Sequence, residues 1–306
     1  MSERELPSAL QQLGESYERV IAEERRRVDR RRTLVRRTCV AVGAVILISV
    51  GALVGVNWLG HSSVETTQAV DQLTNAALHA QPLPDGKFAY SKSIVTAGYA
   101  AGNGRIRHAQ ITTKSWLSNS QPGLKQFSIS GDRYANGKSS QRSETVDSFS
   151  IGDHRYTASE LADLADNPEQ AVADVRSATQ SVRLHERAET QWQLTIAPLR
   201  SFAPLLPGSV RAALIESLES IDGVAVPAAA EGSGRQQVEF TTSGLRSVVD
   251  FSLDGATLVA SRATVAAGAR GARAKWPIGS TVEDFRLIAS GFTDSAGELP
   301  VHSKGD

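Results

Sequence analysis

Six histidines are the chain's first candidates for metal or acid–base chemistry: His61, His79, His108, His154, His185 and His302. A zinc site needs several such ligands at short, regular spacing. No two of these stand as His-x-x-x-His, and the single cysteine, Cys39, lies in an apolar run. Asp153-His154 sets an acid beside an imidazole. Adjacent residues of a strand point to opposite faces, however, so the pair reads as an exposed turn. No Gly-x-Ser-x-Gly elbow occurs. Gly102-Asn103-Gly104 lacks the lysine of a phosphate loop and also reads as a turn. A serine, a histidine and an aspartate can meet in space from distant positions, as a surface hydrolase would require, but no spacing nominates a set. The sequence therefore predicts a non-enzymatic protein, with no catalytic residue, no metal ligand and no cofactor.

The strongest signal concerns placement. Cys39 to Leu59 is an apolar run of 21 residues whose strongly polar members are Ser49 and Asn57. That length spans a bilayer core as a helix. The run follows 38 residues, exceeds a secretory signal core, and has no small-x-small site after it, which predicts a permanent signal anchor. Arg30, Arg31, Arg32, Arg36 and Arg37 precede it, and the first basic residue beyond it is Lys87. Basic residues stay on the cytoplasmic side, so the amino terminus is expected inside and the carboxyl terminus outside the cell membrane. Trp58 falls at the outer interface. Gly51 and Gly55 form a Gly-x-x-x-Gly match, which lets two helices approach closely and nominates a homodimer through the span.

Charge is divided in the same sense. Residues 1–38 hold ten Arg against seven acids, net +3, and the rest of the chain holds 23 basic and 26 acidic groups, net −3. The basic inner segment reads as a topology signal and a contact for the lipid bilayer, not a nucleic-acid surface. The preponderance of Arg over Lys, 26 to 7, suggests a GC-rich bacterial genome. With its one cysteine in the span, the outer part must hold together by a core, and at about 220 residues it is long enough to build one.

The elements follow from periodicity. Leu6, Leu10, Leu13, Tyr17 and Val20 make a seam on one helix face in the cytoplasmic segment 1–38. The seam offers two readings: a helix that only lies on the membrane, or a docking face for a cytoplasmic regulatory protein. Residues 60–82 read as a juxtamembrane helix and linker, opened by a capping box at Ser62-Ser63-Val64-Glu65. The outer domain is expected over 83–292. Its strands are predicted at Phe88–Ile94, Arg105–Leu117, Leu124–Ser130 and Thr145–Ile151, with turns at 98–104, Gly131-Asp132 and Asn136-Gly137. Helices follow, capped at Thr157 and Asn167. They turn Val172, Val175, Thr179 and Val182, then Trp192, Ile196, Leu199 and Phe202, then Val210, Leu214, Leu218 and Ile221 inward. Strands return around Phe240, Phe251 and 258–265, with Asp254-Gly255 as a hairpin turn. A last strand is expected over 282–291 and a mobile tail over 293–306. The order predicts an α+β fold: an antiparallel curved sheet with packed helices, preceded by a cytoplasmic helix and one transmembrane helix.

The helix Pro207-Gly208-Ser209-Val210-Arg211-Ala212-Ala213-Leu214-Ile215-Glu216-Ser217-Leu218 leads into Ile221-Asp222-Gly223-Val224. A hairpin follows at Phe251-Ser252-Leu253-Asp254-Gly255-Ala256-Thr257-Leu258. This order resembles a group of actinobacterial single-pass membrane proteins of unassigned function, often encoded beside extracytoplasmic-function sigma factors. The outer domain also resembles the half-barrel of lipoprotein carriers and of periplasmic regulators of envelope-stress sigma factors. The likeness runs over about residues 160–265. Asp222 stands where a proline is usual, and plain Asp254-Gly255 replaces a longer turn. The resemblance implies a half-barrel-like fold and a location, and carries over no functional residue.

Two functions are expected on this basis. One is a membrane-anchored extracytoplasmic sensor or regulatory protein, linked to sigma-factor signalling through the inner helix. The alternative is an envelope binding or carrier protein, in which Phe88, Tyr90, Trp116 and Phe251 would line a concave sheet around an apolar ligand.

Overall fold

A computed structural model describes residues 63–100, 106–131, 140–227, 229 and 232–300. The inner segment with Leu6, Leu10, Leu13, Tyr17 and Val20, the basic cluster Arg30–Arg37, and the apolar run with Gly51 and Gly55 lie outside the described residues. So does the turn expected at Asn136-Gly137. Among the described residues no helix is long and apolar enough to cross a membrane.

Helix α1 spans Ser63–Leu78. Ala69, Val70, Leu73 and Ala77 recur at helical spacing and are at most 4% exposed. They pack against helix α5, Gly208–Ser217. The helix expected within 60–82 thus packs into the folded core. The Pro82-Leu83-Pro84 segment ends the helical stretch and leads into β1 (Phe88–Ala100), β2 (Ile106–Leu117), β3 (Gly123–Gly131) and β4 (Ser140–Val146). A separate small hairpin, β5 (Phe149–Ile151) and β6 (His154–Tyr156), comes next. The single strand expected over 145–151 is thus two, broken at Asp147-Ser148. The turn expected from Gly98 is also displaced, because β1 continues through Ala100. Gly98 is needed there for close approach: a Cβ would stand 2.5 Å from the Thr281 carbonyl oxygen.

Helices α2 (Ala158–Asp163), α3 (Glu169–Thr179), α4 (Leu184–Ser201) and α5 follow. Thr157 caps α2 as expected: its hydroxyl accepts from the Glu160 N–H, and the Glu160 carboxylate accepts from the Thr157 N–H. The capping box expected at Asn167 does not form; α3 begins at Pro168-Glu169 with no side-chain cap. Pro168 at the helix entrance lacks only an N–H that would have been orphaned. The predicted inward faces of α3 to α5 are buried, except that Val182 lies past the end of α3 and is half-buried.

The chain then builds β7 (Val224–Ala225), β8 (Arg235–Thr242), β9 (Leu245–Ser252), β10 (Thr257–Val265) and β11 (Thr281–Thr293). The main sheet has nine strands in the order β4-β3-β2-β1-β11-β10-β9-β8-β7. Every pairing is antiparallel, and the two meanders join where β1 meets β11. The fold is α+β, as the element order predicts. The half-barrel form is not found: the sheet is open, neither closed nor curled, with β4 and β7 as its edges. Closure would require those edges to pair, and β7 is only 2 residues long.

The helices lie on one face, and their main contacts are with β5, β8 and β10. Along β9, Leu245, Ser247, Val249 and Phe251 are buried and alternate with more exposed Arg246, Val248, Asp250 and Ser252. Trp192 of α4 stacks on Phe240 of β8 with ring centres 5.1 Å apart. Each fully buried aromatic or aliphatic side chain here stabilises the fold by roughly 1.5–3 kcal/mol. Arg200 of α4 pairs with Glu283 and lies over the Phe285 ring, tying the helical layer to β11.

Candidate functional site

Residues directly opposite on neighbouring strands share a face, so the register assembles rows across the sheet. The face turned away from the helices carries most of the polar rows. One runs Glu239, Val248, Arg262, Asp284, Thr96 and Gln110. Arg262 donates from Nε and Nη2 to Asp284 Oδ2 at 2.9 and 2.7 Å, and Arg286 Nε donates to Oδ1 at 3.1 Å. Burial alone would raise the Asp284 carboxyl. The two arginines outweigh it and hold the group below its usual range. Arg246 donates to Glu239 at 3.0 Å and Gln237 to Asp250 at 2.9 Å. Two clefts, of about 710 and about 520 Å³, flank this network and share Asp284, Arg286 and Ile288.

Further along the same face the character changes. Lys92 of β1 stands directly opposite Lys114 of β2. Neither makes an ion pair among the described residues. The next row is aromatic. Tyr90 and Trp116 face each other with ring centres 5.3 Å apart, and Phe88 and Leu124 complete the cluster. Residues 294–300 hold to this end of the sheet. Asp294 pairs with Lys87, Trp116 Nε1 donates to the Glu298 carbonyl, and Pro300 packs on Gly291. Residues 294–300, the first part of the expected tail, thus contact Lys87, β2 and β11.

The helix-side face of β1–β4 is mixed. Val95, Ile111 and Ile129 form a half-buried apolar row in register with buried Phe285. A second row joins Ser91, Ser115, Lys125 and Glu144, with Ser91 and Ser115 hydroxyls 2.6 Å apart. Burial lowers the Lys125 pKa, and the Glu144 charge opposes that. Ser115 is only 3% exposed. This row is a polar seam within the sheet.

Of the residues the sequence nominated around an apolar ligand, three meet. Phe88, Tyr90 and Trp116 form the small cluster on the helix-free face, while Phe251 is fully buried in the main core on the other face. None of the four lines either cleft. His154 lies against the Tyr156 ring at 4.4 Å, and Tyr156 donates to Asp174, which clasps the β5–β6 hairpin to α3. Gly152 in that hairpin has φ +58°, and a Cβ there would meet the Asp174 carbonyl oxygen at 2.3 Å. Among the described residues no three His, Cys, Asp or Glu side chains group as metal ligands.

Sequence inspection missed the Arg262–Asp284–Arg286 triad. Asp284 and Arg286 are two apart on one strand, a signal for a shared face, but Arg262 joins them only through the β10–β11 register. The open face presents two arginines fixed on Asp284, two facing lysines and a covered aromatic row. No family model and no curated protein matches the chain in the comparisons made.

Proposed function

We propose that this chain is a single-pass, membrane-anchored sensor or regulatory protein. Its outer domain binds a ligand or envelope protein on the helix-free face of the sheet, and its inner segment 1–38 engages a cytoplasmic partner, with sigma-factor regulation as the candidate process. The observation that supports this reading is the open face itself. Its Arg262, Asp284 and Arg286 side chains are held in place by one another, flanked by clefts, and covered by no helix among the described residues. Preorganised polar groups on a rigid sheet are what a recognition surface requires. Affinity capture from cell lysate with the 1–38 segment should recover one specific cytoplasmic protein. Recovery of none sinks the two-sided reading.

A second reading has its own support. On the helix side of the sheet, half-buried Ile111 and Ile129 continue outward from Val95, which packs at the margin of the main core. This row suits a carrier of an apolar ligand, with the inner segment as anchor alone. Deleting residues 2–28 while keeping the Arg cluster separates the two. Full function after deletion supports the carrier.

A further inference from the structure

Phe88, Tyr90 and Trp116 are each at most 4% exposed, yet they stand on the face that carries no helix among the described residues. Residues 294–300 lie over them without forming helix or strand. This strap buries no large apolar group of its own; Leu299 remains 60% exposed. It is held by the exposed Lys87–Asp294 pair, by hydrogen bonds from the Trp116 indole to the Glu298 carbonyl and from the Thr293 hydroxyl to the Ser295 carbonyl, and by Pro300 against Gly291. Exposed ion pairs contribute little, so the strap is lightly fastened. One row away, Lys92 and Lys114 face each other, an arrangement that is unfavourable unless an anion lies between them.

We propose that the aromatic row and the paired lysines form one groove for an extended acidic peptide, and that residues 294–300 occupy its aromatic end in cis. The strap supplies the template for the partner. Its sequence, Asp294-Ser295-Ala296-Gly297-Glu298-Leu299-Pro300, has two carboxylates, no basic group and a terminal proline. The Glu298 carbonyl accepts from the indole, Asp294 pairs with Lys87 and Pro300 packs on Gly291, which leaves the Lys92–Lys114 pair for a further carboxylate of an outside peptide. A tethered segment has an effective concentration on the order of millimolar, so it excludes weak outside peptides until it lifts. The inference rests on reading the open face as a binding surface and is independent of any partner of segment 1–38.

The test uses a fluorescent peptide of the 294–300 sequence, read by anisotropy against the full chain and against the full chain carrying Asp294→Lys. Asp294 is 78% exposed at its side chain, so the substitution loosens the strap without touching the core. The substituted chain should bind the peptide at least about tenfold more tightly than the unsubstituted one. A probe extended by two further acids should bind about tenfold more tightly still, and adding Lys92→Ala and Lys114→Ala should remove that gain, as should Asn and Gln in place of the probe's acids. A chain ending at Thr293 repeats the comparison by deletion. Equal affinity for the strapped and loosened chains overturns the cis occupancy. Equal affinity for the acidic and neutral peptides overturns the acidic class. A failed lysate capture with 1–38 leaves both results unaffected, so the two failures are distinguishable.

Discussion

The two halves of the sheet are built alike and covered differently. β8–β11 and β1–β4 are both antiparallel meanders with one face toward the helices. In the first, Val249 and Phe251 of β9 are at most 1% exposed under α4 and its neighbours. In the second, Val95, Ile111 and Ile129 occupy equivalent inward positions and are only half-buried. Among the described residues the main helix contacts fall on β5, β8 and β10, and only Val95 of this row packs at the margin of the core. Stability is thus concentrated in the carboxyl-terminal half and the ends of β1 and β2. The broad middle of β1–β3 is half-buried among the described residues.

Four substitutions would break or sharpen this contrast. Phe251→Ala, in the covered half, should cost about 3–5 kcal/mol, read as a lowered urea midpoint at unchanged slope. A loss under 1 kcal/mol would mean that the core lies elsewhere. Tyr156→Phe removes the clasp between the small hairpin and α3. Burial first, and the Asp174 carboxylate second, push the Tyr156 hydroxyl well above the ordinary phenol range. Losing a hydrogen bond to a charged group should cost about 2 kcal/mol, with local hydrogen exchange rising in 149–156.

Lys125→Met tests the uncovered half. The Lys125 pKa is lowered in the folded state, chiefly by burial, so the unfolded chain holds this proton to higher pH than the folded one. Stability therefore rises with pH through the window from the lowered value up to the ordinary 10.5. At pH 7 the methionine variant should be more stable by about 1 kcal/mol, and the advantage should shrink as pH climbs through that window. A constant or growing advantage would contradict the assignment. Ile129→Ala should be the mildest, below about 1 kcal/mol, because the side chain is only half-buried and leaves no closed cavity. A loss comparable to that of Phe251→Ala would show that something covers this row after all.

Much of the architecture was legible before any coordinates. The helical stripes of α3 to α5, the Thr157 cap and the Asp254-Gly255 turn are local signals, and each was readable within a few residues. What escaped was set by long-range pairing. Gly98 looked like a turn because its reason, the Thr281 carbonyl, lies 183 positions away in sequence. Phe251 and Tyr90 looked like neighbours because an alternating strand shows which residues share a face but not which face that is. The 294–300 strap carries composition typical of a loose end, and only its contacts with Lys87, Trp116 and Gly291 fix it. The open face was invisible for the same reason, since its rows draw from seven strands.

The joint between β1 and β11 has a consequence in time. Phe88, at the start of the first long strand, pairs with Thr293, at the close of the last. Contacts this far apart in sequence slow folding, because the loop between them must be ordered first. During synthesis β1 would emerge with β2 as a hairpin whose other edge waits for nearly the entire domain. The unpaired edge of β1 is then the segment most exposed to wrong partners. Its Lys92, charged and set midway along that edge, is placed to discourage them until β11 arrives.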